Sequence, residues 1–346
     1  MTTLATPVHA APVTLTVLTF NDFHGRINNN TVRFATTIEQ LRAAAPGGET
    51  NTLLISAGDN IGASEFTSSS ADDQPTIDVL NALDVAVSAV GNHEFDKGID
   101  FLQNQVIDGV DYNKADFPYL GANVYAKATT NPVLDEYTVV NVAGVRVGII
   151  GAVTVETPSL VSSLGIANVD FGDPVAAVNR VADQLTDGDP DNGEADVIIA
   201  DYHEGADLIA SLAAAKTRVP FAKIVDDTSA KVDIIVNGHT HQPYTFDAPV
   251  PSPGSGNRPV IQTGSYGGNI GKIQFDYDAD TDTVTAYSQS VVPTASVAPD
   301  LNLPRVGAVN AIVAAAQAAA AIIGEVPVAS VTADITTAWK SGGYTN

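Results

Sequence analysis

The chain contains no cysteine, so it can form neither a disulfide framework, nor a thiolate nucleophile, nor a cysteine-bound zinc site. Basic residues are also scarce. Sixteen Lys and Arg residues stand against 40 Asp and Glu residues, which gives a formal net charge of -24. A surface this acidic repels the phosphate backbone of nucleic acids at long range, so we predict no nucleic-acid partner.

Long apolar runs are missing as well. The longest, at 308–323, is rich in alanine and is interrupted by Asn310 and Gln317. It therefore falls short of the roughly 18 uninterrupted apolar residues that span a bilayer, and we predict a soluble chain without stable membrane insertion. Hydrophobic residues still make up 45% of the 346 positions, enough to bury one large core or two smaller ones.

The first twelve residues resemble the end of a secretory leader. The segment Val8-His9-Ala10-Ala11 has the small residues of a cleavage region, but no charged or long apolar segment precedes it. We predict that residues 1–12 are a leader or signal-peptide remnant and that His9 belongs to no site. The alternative is an unstructured leader.

Apolar runs alternate with helical patterns along most of the chain, which predicts strands joined by crossovers in α/β layering. The predicted strands are 13–20, 51–56, 85–90, 145–151, 195–200 and 232–236. The predicted helices include 32–45, 76–83, 98–106 and 306–323. After Pro243 the pattern becomes alternating, which predicts antiparallel strands of a second sheet at 260–263, 270–277 and 283–288. The predicted fold is α/β, a two-sheet β-sandwich flanked by helices.

Five of the six histidines lie in short polar clusters near the ends of predicted strands. The clusters are Asp22-Phe-His24, Gly58-Asp59-Asn60, Gly91-Asn92-His93-Glu94-Phe95-Asp96, His203 and Gly238-His239-Thr-His241. Loops beyond the carboxyl ends of strands in an open α/β sheet converge on one crevice. We therefore expect these side chains to meet at one place. Glycines inside the clusters let the backbone turn sharply beside them.

The residue types in these clusters suit divalent metal ions. Carboxylates and neutral imidazoles together bind zinc, manganese, iron or cobalt. One carboxylate can bridge two ions about 3.5 to 4 Å apart, and Asp59 is placed for that bridge. Two ions would lower the pKa of a shared water and reverse the field of this acidic chain locally, so that phosphate can bind. The clusters therefore predict a two-metal hydrolytic site.

The ordered clusters resemble the motif set of the calcineurin-like metallophosphoesterases. Segments 20–25, 91–98 and 262–271 resemble one branch in particular, the N-terminal catalytic domain of the 5'-nucleotidase and UDP-sugar hydrolase family. The resemblance spans roughly residues 13–290. It implies the metallophosphoesterase fold with four αββα layers, two divalent metal ions (Zn, Mn, Fe or Co), and a secreted, periplasmic or cell-surface protein.

The resemblance also implies a role for each clustered side chain. The implied metal ligands are Asp22, His24 and His241 for one ion and Asn92, His203 and His239 for the other, with Asp59 as the bridge. His93 would face the substrate and stabilise the transition state or protonate the leaving oxygen, with Asp96 orienting its ring. Asn92 and His93 would contact the phosphate. A carboxylate partner raises the pKa of an imidazole, which suits an acid near neutral pH.

Some of these assignments have alternatives. Asp201 or Glu204 could be the ligand in place of His203. His241 could orient the substrate while another group completes the first metal's shell. Asn123 could touch the site from its strand end, although a turn role is the simpler interpretation.

The resemblance implies a domain plan in which a part is missing. Residues 13–304 would form the catalytic domain, 305–324 a connecting helix, and 325–346 the start of a truncated C-terminal nucleotidase domain, with its first strand at 325–332. Family members usually carry a second domain that stacks the nucleobase and holds the phosphate. We therefore expect this chain to be a fragment without its C-terminal domain.

The predicted function is that of a dinuclear-metal-dependent phosphoester hydrolase. The specific prediction is a 5'-nucleotidase, which converts a nucleoside 5'-monophosphate to nucleoside and phosphate by attack of a metal-bridging hydroxide. The alternatives within this chemistry are a UDP-sugar hydrolase and a 2',3'-cyclic-nucleotide phosphodiesterase. An alternative of a different class is a non-catalytic, metal-stabilised surface module, for which a spare histidine such as His93 would be unnecessary.

Overall fold

Two six-stranded sheets pack face to face, and helices cover the outer face of each. This arrangement confirms the predicted α/β class and the four-layer αββα sandwich. The computed structural model describes residues 11–109, 114–330, 332, 339–340 and 343–344. His9 and the first ten residues of the predicted leader lie outside the described residues.

Strands account for most of the buried backbone. In chain order they are β1 (Val13–Phe20), β2 (Thr52–Ser56), β3 (Val87–Ala89), β4 (Tyr119–Leu120), β5 (Val124–Ala126), β6 (Tyr137–Val142), β7 (Val145–Val153), β8 (Val169–Phe171), β9 (Val197–His203), β10 (Ile234–Asn237), β11 (Pro243–Pro249), β12 (Asn257–Thr263), β13 (Asn269–Asp278), β14 (Thr283–Pro293), β15 (Trp339–Lys340) and β16 (Gly343–Tyr344). Each predicted strand up to residue 293 is present, with ends displaced by a few residues. Strands β6 and β11, which lie at the two edges of one sheet, were not predicted.

The helices vary widely in length. In chain order they are α1 (Asn29–Ala44), α2 (Phe66–Ser69), α3 (Gln74–Ala82), α4 (Ile99–Phe101), α5 (Thr157–Leu160), α6 (Pro174–Gln184), α7 (Leu212–Ala215), α8 (Val219–Asp227) and α9 (Pro304–Gly324). Short 3-10 segments lie at Gly48–Asn51, His93–Phe95 and Pro190–Asn192. The helix predicted at 98–106 is divided, because a π-helical segment, Leu102–Ile107, follows α4. Helix α1 begins where the sequence favours it, since Asn28 and Thr31 form a capping box.

The prediction that 260–263, 270–277 and 283–288 all belong to a second sheet is wrong, although the antiparallel pairing predicted for them is present. The first sheet has the order β14-β13-β1-β2-β3-β4, and the second has the order β11-β12-β10-β9-β7-β6. Strands β13 and β14 therefore join β1, while β12 pairs in parallel with β10. Hydrophobic alternation indicates which face of a strand is buried, but it carries no information about which strand lies alongside.

Three apolar clusters divide the interior between the layers. The cluster between the two sheets includes Val17, Ile55, Ile149 and Ile199. One outer cluster packs α1, α3 and α9 against the first sheet, and the other packs α6 and α8 against the second. Strands β9 and β10 are buried along their whole length, as expected for parallel strands covered on both faces.

Helix α9 forms where the sequence predicted a helix, and it packs against the first sheet's helices. Its buried residues lie on one face and are Val306, Val309, Val313, Ala316 and Ala320. Within the described part of the chain, it is also the helix long and apolar enough to cross a membrane, and 28% of its most apolar window is buried. The absence of membrane insertion therefore stays a prediction. Residues 327–330, part of the predicted first strand of a further domain, are irregular and exposed.

Candidate metal centre

The polar clusters meet at the carboxyl ends of parallel strands from both sheets. The loop after β1 runs beside the loop after β2, with Asp22 N–H donating to Gly58 O at 3.0 Å and His24 N–H donating to Asp59 O at 2.9 Å. His203 is the last residue of β9, and the loop after β10 carries His239. The site predicted from the sequence therefore lies at the carboxyl ends of these strands, where loops from both sheets meet.

The backbone at these clusters has an unusual conformation. Positive φ angles occur at Asp22 (51°), His24 (48°), Asp59 (53°), His239 (73°) and His241 (58°). Residues with a Cβ atom rarely adopt this left-handed region, and each instance costs on the order of 1 to 3 kcal/mol when the surroundings impose it. Strain concentrated at five neighbouring polar residues is typical of a functional site and is difficult to explain by folding alone.

Two glycines give the loops room to approach each other. A Cβ atom on Gly91 would lie 2.2 Å from Asp59 Oδ1 and 2.7 Å from His203 Cε1. A Cβ atom on Gly238 would lie 2.6 Å from Ala57 O. Any larger residue at either position would therefore displace a cluster side chain or the backbone beside it.

Asp22, His24 and His241 form the first group of possible metal ligands. Their ligand atoms lie within 4.8 Å of one another. The Nε2 atoms of His24 and His241 are 3.3 Å apart, and His241 Nε2 lies 3.1 Å from Asp22 Oδ1. Buried Asp22 Oδ1 makes no well-aligned hydrogen bond among the described residues, although His241 Nε2 lies 3.1 Å away. A buried carboxylate oxygen beside two converging imidazole nitrogens suits a divalent cation.

Asp59, His203 and His239 form the second group. Asp59 Oδ2 lies 3.1 Å from His203 Nε2 and also 3.7 Å from His24 Nε2 of the first group. Asn92, the remaining predicted ligand of this ion, lies beside the group, with its Oδ1 3.2 Å from His203 Nε2. The Asp59 carboxylate thus stands between the two groups, in the position that a bridging ligand requires.

Backbone carbonyls orient the imidazole rings. His203 Nδ1 lies 2.6 Å from Ala57 O, and His24 Nδ1 lies 3.0 Å from Gly62 O. With Nδ1–H donating to a carbonyl, Nε2 of each ring faces the other cluster residues and is the nitrogen that would bind a metal ion after losing its proton. Ligand histidines in metalloproteins are commonly fixed by this kind of hydrogen bond.

The electrostatics of the clusters favour positive charge at their centre. Burial alone would raise the pKa values of Asp22 and Asp59, but the neighbouring imidazoles hold both below their usual range. Burial would likewise lower the pKa of His203, yet the Asp59 carboxylate raises it to about 10. His239 responds in the opposite sense, since burial and repulsion from His203 lower its pKa to about 4. Divalent cations fit such a set of carboxylate oxygens and imidazole nitrogens.

His93 differs from the other clustered histidines. Its Nδ1 lies 2.9 Å from Asp96 Oδ2, and this hydrogen bond is the main reason that its pKa is raised. Its side chain is 28% exposed and that of His241 is 35% exposed, whereas those of His24 and His203 are 4% and 0% exposed. His93 also has a ligand atom close to His24 and Asp59. Both a substrate-facing role and a ligand role are therefore compatible with its position.

Glu94 is an important residue to which the sequence assigned no role. Its buried carboxylate accepts the backbone N–H groups of Gly91 at 2.6 Å and of Asp59 and Asn60, both at 2.8 Å. Burial raises its pKa to about 7. The carboxylate joins the loop after β3 to the loop after β2. The sequence did contain a signal for this role, because Glu94 is an acidic residue next to apolar Phe95. Buried loop N–H groups need an acceptor, and a buried carboxylate can supply one.

The alternative ligands named from the sequence lie outside both groups. Asp201 Oδ2 accepts the Ala89 N–H at 3.3 Å, so this side chain lies between strands of the two sheets. Glu204 accepts hydrogen bonds from Thr154 Oγ1 and Gly205 N–H. Asn123 bonds to the backbone of Val153 through both its amide nitrogen and its oxygen, so its side chain joins the start of β5 to the end of β7.

Two depressions adjoin the clusters. A cleft of about 230 Å³ is lined by His24, Asp59, Ala63, Asn92, His93, Leu160, His239, His241 and Tyr266. A larger groove of about 710 Å³ shares His239 and His241 with it and continues past Glu204 and Arg218. A molecule in the cleft would contact members of both ligand groups together with His93.

Comparison with known proteins gives concordant matches. A family model described as calcineurin-like phosphoesterase matches residues 15–243. The endonuclease YhcR of Bacillus subtilis is 30% identical over 302 residues, which cover 81% of this chain and 23% of that protein. The 5'-nucleotidase of Vibrio cholerae is 29% identical over 283 residues, which cover 76% of this chain and 49% of that protein. The chain thus spans about a quarter to a half of the length of these relatives.

A solved structure has the same fold. The calcineurin-like phosphoesterase YfkN from Bacillus subtilis superposes with a TM-score of 0.70 at 22% identity. The match covers 90% of this chain and 99% of that one. The two-sheet sandwich is therefore shared over nearly the whole of both molecules.

Proposed function

Since this chain belongs to the calcineurin-like phosphoesterase family, as the resemblance predicted, we propose that it is a metal-dependent phosphoester hydrolase acting at the clustered histidines. The observation that carries the proposal is the position of Asp59 Oδ2, 3.7 Å from His24 Nε2 and 3.1 Å from His203 Nε2. One carboxylate oxygen between two sets of nitrogen and oxygen ligands suits two divalent ions and is unnecessary for one structural ion.

The proposed ligand sets follow the two groups. Asp22, His24 and His241 would hold one ion, Asn92, His203 and His239 the other, and Asp59 would contact both. Divalent ions, when bound, supply a nucleophile at neutral pH by lowering the pKa of water, and they offset negative charge on the phosphoryl oxygens. Zinc, manganese, iron and cobalt all suit this donor set.

The chain's own residues would bind the phosphoester and move a proton. We assign His93 and Asn92 to the phosphate, because both line the cleft beside the ligand groups. Asp96 holds His93 Nδ1 and favours the imidazolium, so the opposite ring nitrogen can donate to a phosphoryl or leaving oxygen. Asp96 thus acts as a positioning residue for His93.

For the substrate we propose a nucleoside 5'-monophosphate. The relative named 5'-nucleotidase supports this choice, as does the dependence of such a reaction on a phosphate-binding metal centre.

The proposed plan of the chain remains a leader at 1–12, a catalytic domain at 13–304 and a connecting helix at 305–324, with a further domain beginning at 325. The leader supports a secreted, periplasmic or cell-surface location.

A phosphodiesterase is the second candidate, with UDP-sugars or 2',3'-cyclic nucleotides as substrates. The observation that favours it is the larger groove, which shares His239 and His241 with the cleft. A phosphodiester has two substituents, and the groove could accommodate the second one. The relative named endonuclease also supports diester chemistry.

Metal analysis and a substrate panel test these proposals. We expect close to two transition-metal ions per chain after reconstitution and turnover of 5'-nucleotides or aryl phosphates that chelator abolishes. Preferential cleavage of UDP-sugars or cyclic nucleotides would select the second candidate. Protein that binds metal but cleaves neither class would instead be the non-catalytic, metal-stabilised module.

A further inference from the structure

Tyr266 lies at the cleft in a conformation that tyrosine rarely adopts. Its φ angle is 61°, and its backbone N–H donates to Asp22 O at 2.7 Å. A bulky residue in the left-handed region is an outlier that the surrounding structure must impose. The loop after β12 is thereby tied to the loop that carries Asp22, and it presents the Tyr266 side chain to the cleft.

The Tyr266 ring lies beside two proposed ligands. The Arg26 guanidinium lies 4.0 Å from the ring centroid, and Arg26 Nη1 lies 3.3 Å from Glu65 Oε1. The ring centroid is 5.2 Å from that of His241 and 5.8 Å from that of His24. Despite these contacts, Tyr266 is 42% exposed, so part of the ring surface remains accessible to a bound molecule.

A second apolar side chain lines the same cleft. Leu160, the last residue of α5, is 44% exposed. Apart from Ala63, the other residues lining the cleft are polar. Two large, partly exposed side chains at this polar cleft offer apolar surface to a ligand whose charged end the polar groups would hold.

We propose that Tyr266 and Leu160 form a leaving-group subsite for an aromatic substituent of the phosphoester. The inference rests on the proposed function, since the phosphate must lie beside His93 and the ligand groups for its substituent to reach this margin. A flat aromatic group would pack against the edge or face of the Tyr266 ring and against the Leu160 side chain. Aromatic contacts of this kind contribute beyond the area they bury.

Binding of two non-hydrolysable phosphonates tests the subsite. Phenylphosphonate and methylphosphonate share the metal-binding head but differ in the substituent, and their dissociation constants can be measured by calorimetry on the metal-loaded chain. We expect phenylphosphonate to bind more tightly. Tyr266→Gly should reduce the phenyl-to-methyl affinity ratio about 5-fold, and Leu160→Ala should reduce it by a smaller factor.

Two variants separate the ring's role from that of the loop. Glycine tolerates the positive φ angle at position 266, so Tyr266→Gly removes the ring without adding strain. Tyr266→Phe keeps the ring and should keep the wild-type ratio. Equal affinity of the wild type for both phosphonates, or an equal loss for both in Tyr266→Gly, would overturn the subsite.

Turnover is measured separately, so the two proposals can fail independently. A wild-type chain that shows the expected phosphonate preference but hydrolyses no phosphoester contradicts the proposed function and supports the subsite. A chain that hydrolyses phosphoesters but binds both phosphonates equally supports the proposed function and contradicts the subsite. Metal-loaded protein that binds neither phosphonate contradicts both.

Discussion

Among the clustered histidines, His93 is the one whose ring nitrogen is engaged by a carboxylate outside both proposed ligand groups. Its Nδ1 contacts Asp96, whereas Nδ1 of His24 and of His203 contacts a backbone carbonyl. A carbonyl orients a neutral imidazole for metal binding, and a carboxylate stabilises an imidazolium for proton transfer. The two kinds of partner therefore suit the two roles that we propose for these histidines.

Replacement of His93 by alanine should separate these tasks. We expect His93→Ala to slow turnover by about 100-fold or more, because a proton donor and phosphate contact is lost, while the metal content stays unchanged. Metal analysis alongside steady-state kinetics is the measurement. Asp96→Asn is the matched control and should have a smaller effect, since the imidazole remains. Loss of metal from His93→Ala would make His93 a ligand.

At the scale of the loop, close approach between backbones decides whether the ligands can converge. The segment at Gly91 passes so near the segment at Asp59 that no Cβ atom fits between them. Glu94 then joins the same two loops by accepting backbone N–H groups from each. The loops after β2 and β3 thus behave as one unit.

We expect Gly91→Ala to impair metal binding more than stability. The added methyl group would lie 2.2 Å from Asp59 Oδ1, so the carboxylate that we propose as the bridge has to move. Metal content and affinity measured on the purified variant should fall. Gly324→Ala is the control, because a Cβ atom there makes only an ordinary contact at 3.4 Å with the Phe66 ring. Unchanged metal affinity in Gly91→Ala would refute this account of the loops.

Among the helices, α6 shows how a cap remote from the site supports the second sheet. Asp173 accepts the N–H groups of Val175 and Ala176 at the start of the helix, and it also forms an ion pair with Lys223 of α8. The buried face of α6 covers the outer side of that sheet. Its cap should therefore affect stability and leave the chemistry alone.

Asp173→Ala should lower the free energy of unfolding by about 1 kcal/mol through loss of the cap. A urea titration at constant metal concentration measures the change. Asp173→Asn retains an acceptor oxygen and should recover most of the loss. Activity per folded molecule is expected to stay at the wild-type level in both variants. A fall in that specific activity would show that the helix is coupled to the site.

At the scale of the whole molecule, the candidate metal centre contains residues from both sheets. Proposed ligands come from loops after β1, β2 and β3 of the first sheet and from β9 and the loop after β10 of the second. Buried carboxylates at this junction, in a chain of net charge -24, repel one another unless cations compensate them. Bound metal should therefore stabilise the sandwich as well as supply chemistry.

Removal of metal should lower the melting temperature. A ligand that binds only the folded chain stabilises it by about 2.7 kcal/mol at 100 times its dissociation constant. Calorimetry with and without chelator should show this loss, and added zinc or manganese should reverse it. Calcium serves as a control, because it prefers oxygen ligands to imidazole. Identical melting curves in all conditions would mean that the clusters do not hold metal in the folded protein.

Sequence patterns alone predicted the class of fold and the residues of the candidate site. Asp-x-His, Gly-Asp, Gly-Asn-His-Glu and Gly-His-x-His segments after apolar runs were enough to predict which residues meet, because strands in α/β layering direct their carboxyl ends to one edge. Strand positions followed from hydrophobic patterning, which reports burial directly.

How these parts are joined could not be predicted from the sequence. The placement of β13 and β14 beside β1, the loop-bridging role of Glu94 and the position of Tyr266 over the cleft all depend on contacts between segments distant in sequence. Periodicity in a sequence states which face of a strand is buried and leaves the neighbouring strand open. Long-range packing therefore fixed the partner strands and the walls of the site.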